Sequence, residues 1–119
     1  MKTLDLKKDL KYLYQPSAKK PEILTVPLMQ FIMLDGAIEK GKEPGNSPQF
    51  RENMMALYGI SYTLKFMSKL RKKNPINYPV MALEGLWWVE DGFFDITVKD
   101  NWFYTVMMLQ PDHIDAEMF

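Results

Sequence analysis

The stretch SPQFRENMMALYGISYTLKFMSKLRK, Ser47 to Lys72, decides the fold of this 119-residue chain. Ser47 is a good helix N-cap, and Pro48 behind it suits the first helical position, where no backbone N–H is needed. From there Phe50, Met54, Leu57, Tyr58, Tyr62, Met67 and Leu70 recur at helical period and predict one wide apolar stripe. Gly59 is a weak point inside the helix, costing ~1 kcal/mol relative to Ala. Lys69, Arg71, Lys72 and Lys73 crowd the far end, where cations complement the helix dipole. Asn74 and Pro75 close the element.

Working outward, Glu39 to Asn46 is a polar loop containing Gly41, Pro44 and Gly45. Before it runs Ile23 to Ile38, rich in large and β-branched apolar residues. Pro27 cannot donate within a central ladder, so the strand proper is expected from about Leu28 to Asp35 and Gly36. Beyond the helix, YPVMALEGLWW (Tyr78 to Trp88) predicts a second strand, and Trp102 to Leu109 a third, which Pro111 stops. Glu90, Asp91, Gly92, Asp95, Lys99, Asp100 and Asn101 supply turn chemistry around Phe93 to Val98. The order strand, helix, strand, strand implies a two-layer α+β arrangement with one helix on an antiparallel sheet. Residues 23–119 form this unit. Residues 1–22 are an N-terminal arm or short helix: Leu4, Leu6, Leu10 and Leu13 lie at mixed spacing, and Gln15 to Pro21 is a connector.

Composition narrows the function classes. Fifteen basic residues balance fifteen acidic ones, so the chain lacks the overall field that draws proteins to nucleic-acid phosphates. With no cysteine, neither disulfides nor thiolate metal sites can form. No stretch approaches the ~20 apolar residues of a membrane span, and the charged N-terminus has no signal-like apolar segment. A cytoplasmic location is therefore expected, with no nucleic-acid or membrane partner. Ten Met and a 13% aromatic share fit either ordinary core or a surface that accepts ligands of varied shape.

Two segments carry a family resemblance. PVMALEGLWW (Pro79 to Trp88) resembles the "MPLEGLWW" signature of GyrI-like small-molecule-binding proteins, with Ala82 where that family usually has Pro. WFYTVMMLQP (Trp102 to Pro111) resembles their following strand, and Asp5 to Pro16, Gln30 to Gly36 and Tyr58 to Phe66 are also similar. The resemblance implies one strand–helix–strand–strand half (an SH2-like motif) of a tandem whose two halves hold a ligand in the groove between them. It implies bulky hydrophobic, aromatic or cationic ligands, and for some relatives hydrolysis of strained cyclopropane-containing compounds. Relatives continue into a second half, whereas this sequence stops at Phe119. Either that half is missing, or the chain is a natural half that rebuilds the groove as a homodimer.

Strand alternation proposes the site. Tyr78, Val80, Ala82, Glu84, Leu86 and Trp88 share one face of the second strand; Met81, Leu83 and Trp87 share the other. A carboxylate under the helix is costly, so Tyr78, Glu84 and Trp88 are assigned to the groove. A bulge at Gly85 would exchange the two Trp residues. By analogy Trp102 and Tyr104 of the third strand are placed on the groove side too. Glu84 among rings would attract an organic cation, each ring adding ~0.5–2 kcal/mol, and Glu84 with Tyr104 is the candidate catalytic pair. His113, the one histidine, sits between Asp112 and Asp115 near Pro111 and is expected to be a solvated loop residue. No metal site, phosphate loop or cofactor is expected. Three readings follow: a ligand-binding module, a hydrolase using Glu84, or a structural homodimer sealed by its Trp-rich face.

Overall fold

The computed structural model describes residues 1–90, 92, 94, 95, 97 and 102–119. In chain order its elements are β1 (Lys2–Thr3), α1 (Leu6–Asp9), α2 (Lys11–Tyr14), β2 (Gln30–Ala37), α3 (Pro48–Leu70), β3 (Ile76–Asn77), β4 (Glu84–Trp88) and β5 (Phe103–Gln110). The expected α+β class holds, with α3 lying on an antiparallel sheet of order β2-β5-β4. Of the Phe93 to Val98 region, Phe93, Ile96 and Val98 fall outside the described residues, as do Asp91 and Lys99 to Asn101. Of the turn residues that are described, Gly92 has φ +80° and Asp95 accepts hydrogen bonds from the Thr97 N–H and hydroxyl at 2.9 and 2.7 Å.

Helix α3 begins where the sequence signals it. Ser47 Oγ accepts the Phe50 N–H at 3.1 Å and donates to Glu39, whose other oxygen accepts the Gln49 N–H at 3.0 Å. The stripe differs from the expected one. The buried positions are Leu57, Ser61, Leu64 and Ser68, while Tyr58, Tyr62, Met67 and Leu70 are 39 to 73% exposed. Burial of hydroxyls is costly unless they are bonded, and these are. Ser61 Oγ accepts from Gln110 Nε2 at 3.3 Å, and Ser68 Oγ donates to the Ile76 carbonyl at 2.7 Å. Their small size lets the helix lie close to the sheet, and the large side chains go outward.

Strand β5 is central and the most buried, since both its edges are paired and one face lies under α3. Its partners run from Gln30↔Gln110 to Ala37↔Phe103 on one side and from Glu84↔Met107 to Trp88↔Phe103 on the other. Pairing passes one-to-one through Gly85, so no bulge forms there. The second strand is shorter than predicted: Tyr78 to Leu83 lies outside it. Pro79 has no N–H to donate, and Tyr78 is drawn into a separate apolar cluster with Leu64 and Ile114. The main core joins Ile38, Leu57, Trp102, Tyr104, Val106 and Met108. The N-terminal arm is tied in by parallel pairing of β1 with β3, and Asp5 caps α1 by accepting the Lys7 N–H at 3.1 Å.

Candidate functional site

The two indoles of β4 separate the faces. Trp87 packs beneath the sheet, its ring centroid 5.3 Å from those of Phe50 and Tyr104. Gly85 is on the same side, and a Cβ there would stand 2.9 Å from Trp87 Nε1, so the indole lies back along the strand over the glycine. Glu84, Leu86 and Trp88 therefore occupy the opposite, open face. Directly paired residues share a face in an antiparallel sheet, which adds Phe103, Thr105 and Met107 from β5 and Met33 and Asp35 from β2. Leu86, Trp88 and Met33 are 54, 41 and 52% exposed. Apolar surface of this kind, joined across three strands, is what partner or ligand sites display.

Glu84 is half-buried and accepts a hydrogen bond from the Tyr14 hydroxyl at 2.8 Å, bringing α2 onto the sheet from 70 residues away. Burial, then the bond to Glu84 and its charge, push the Tyr14 phenol well above the ordinary tyrosine range. Trp88 stacks on Phe103 at 6.3 Å with 22° between planes. Trp88 lies four residue steps beyond Glu84, roughly 13 Å along a strand. The ring beside the carboxylate is thus Tyr14, with Trp88 at the other end of the face. Across β5, Asp35 accepts the Thr105 hydroxyl, giving the face a second acidic group.

Three of the expected site residues lie elsewhere. Tyr104 is fully buried and Trp102 is 6% exposed, both in the core beneath the sheet. The reason is register: Tyr104 pairs directly with Trp87 and so follows it to the helix side. Its hydroxyl accepts from Asn53 Nδ2 at 2.8 Å and cannot serve as a catalytic partner of Glu84. Tyr78 is 2% exposed, and burial pushes its phenol up to about 12. His113 is also not a solvated residue. Its ring lies edge-on to Tyr78 at 5.7 Å, with Nε2 2.8 Å from Ser68 Oγ. Because the serine proton is committed to the Ile76 carbonyl, His113 Nε2 is the donor. Of the expected set, Glu84 and Trp88 share the open face. The sequence reading missed Tyr14, Phe103, Met107 and Asp35.

Two cavities lie near this face. One of about 340 Å³ sits at the β2 end, lined by Phe31, Ile32, Leu64, Ile114 and Phe119 among others. Another of about 450 Å³ opens under the arm, between Leu4, Leu10, Leu28 and Leu109. Neither includes Glu84 or Trp88. Among the described residues no group of three or more His, Asp or Glu could hold a metal ion, and no helix is long and apolar enough to cross a membrane.

Comparison with solved structures extends this picture. The chain is similar to an uncharacterised conserved protein from Listeria innocua, at 34% identity and TM-score 0.83, covering 97% of this chain and 54% of that one. It is also similar to two structures described as hydrolases from the same organism. One is 32% identical (TM-score 0.75; 97 and 54% coverage) and the other 34% identical (TM-score 0.80; 98 and 55% coverage). The chain thus spans about half the length of the solved structures it resembles. No family model and no curated protein matches it.

Proposed function

We propose that this chain is a GyrI-like half-module that binds bulky apolar, aromatic or cationic small molecules on the open face of its sheet, in the cytoplasm. The observation that carries this reading is Glu84: a half-buried carboxylate on a face it shares with the apolar side chains of Leu86, Trp88, Phe103 and Met107. A cation there gains charge attraction where water is partly excluded, and the rings add contact area without demanding one ligand shape. The face lacks an opposite wall in a single chain. A second half, as the roughly doubled length of the similar structures suggests, or a second copy would supply it.

The test is calorimetry with a panel of planar aromatic cations, with light scattering on the same samples to report the oligomeric state. Micromolar binding is expected. Glu84→Gln should weaken it roughly tenfold by removing the charge, and Trp88→Ala should weaken charged and uncharged ligands alike. A folded protein that gives no heat with any member overturns the reading.

A second reading is favoured by the two similar structures described as hydrolases. Glu84 would orient or deprotonate water toward a strained electrophile such as a cyclopropane-containing compound. Turnover seen by mass spectrometry and abolished in Glu84→Gln would support it; stoichiometric binding without product would reject it.

A further inference from the structure

The arm makes one polar contact with the open face: the Tyr14 hydroxyl donates to Glu84 Oε2 at 2.8 Å. Three features give that contact a role beyond joining two elements. Both partners are half-buried, so the bond is shielded from competing water. Tyr14 ends α2, and the backbone carrying it is fixed at its root, where Leu4 N–H donates to the Asn77 carbonyl at 2.8 Å and Asp5 caps α1. The phenol also engages only one of the two carboxylate oxygens, and among the described residues Oε1 has no donor. A glutamate with three rotatable side-chain bonds, beginning an outer strand, would otherwise spread its charge over many directions.

Resting on the ligand-binding reading above, we infer that Tyr14 is a positioning residue: it fixes the Glu84 carboxylate so that its free oxygen meets cationic ligands, and the α1–α2 arm forms one end wall of the site. Tyr14 makes the site selective for charge. A phenol that cannot easily lose its proton is suited to this, because it stays a donor and never becomes a second anion beside Glu84. The sense of the effect distinguishes positioning from blocking. If the phenol positions the carboxylate, its removal weakens cations and leaves neutral ligands unchanged. If it occupies the place a cation would take, its removal strengthens cations.

The experiment uses the whole chain, with ethidium as the cationic probe and Nile red as an uncharged dye, each followed by fluorescence. Tyr14→Phe keeps the ring and deletes the donor. The expected result is a roughly fivefold to tenfold loss of ethidium affinity, the scale of one ordinary hydrogen bond's net contribution. Nile red affinity should be unchanged, and the melting temperature should fall by no more than a few degrees, the cost of one part-buried hydrogen bond. In a Glu84→Gln background the same substitution should have no further effect on ethidium. Equal or tighter ethidium binding by Tyr14→Phe, with parental binding intact, overturns this inference alone. An equal loss of both dyes does so too, because it marks a structural role. A folded parent chain that binds neither dye overturns both this inference and the reading beneath it.

Discussion

At Gly36 even one methyl group would collide with its neighbours. A Cβ built there stands 2.5 Å from the Tyr104 ring and 2.8 Å from Asn53 Nδ2, because the buried tyrosine lies flat against the bare backbone of its strand partner. Gly36→Ala should therefore destabilise the chain by about 1–3 kcal/mol, the usual cost of overpacking. Gly45→Ala, with nothing within 4 Å, should be nearly neutral. Midpoints of urea denaturation compare the two. His113 makes a prediction about pH. Burial, then the charges of Arg71 and Lys2, hold its imidazole below its ordinary 6.5, with Asp112 opposing. The unfolded chain then binds a proton more readily than the folded one. The stabilising contribution is complete above about pH 6.5 and declines as pH falls below it. Melting temperatures measured from pH 8 to pH 5 should fall more steeply for the parent chain than for His113→Gln.

Among the elements, α3 was the most legible and the faces of β5 the least. The Ser47-Pro48 start is local chemistry and was readable as such. The cap is reinforced by Glu39, held below the usual carboxylate range chiefly by the hydrogen bond from Ser47. Ser47→Ala should cost ~1 kcal/mol, lowering the melting temperature by a few degrees in a thermal scan. The buried stripe of that helix was not readable, because Ser61 and Ser68 are inside only by virtue of partners on β5, β3 and the C-terminal segment. Alternation alone placed Glu84, Leu86 and Trp88 together correctly, since a carboxylate resists burial. It could not set the phase of β5, where Trp102 and Tyr104 are as plausible outside as in. That choice is made by the Trp87↔Tyr104 pairing, a long-range fact. Tyr14 was invisible for the same reason: nothing near it in sequence announces Glu84.

Over the whole molecule, order is concentrated in the sheet and α3, and the segment from Gln15 to Leu28 is its opposite. That stretch is exposed throughout and forms no helix or strand, with Ile23 and Leu28 bare to solvent. Backbone of this kind is cut first by proteases. Trypsin under native conditions should cleave after Lys19 before any site in α3, and not after Lys20, which precedes Pro21; mass spectrometry of the first fragments identifies the bond. The sheet itself raises a different matter. Strand β2 is eight residues long and is paired on one side only among the described residues, so a full row of its main-chain donors and acceptors faces outward. Long free borders of this sort recruit other chains into fibrils unless a charge interrupts them. Between Gln30 and Ala37 the one charge is Asp35, which also holds Thr105. Asp35→Asn would keep a hydrogen-bond acceptor while removing the gatekeeper, and turbidity should then appear at concentrations the parent chain tolerates.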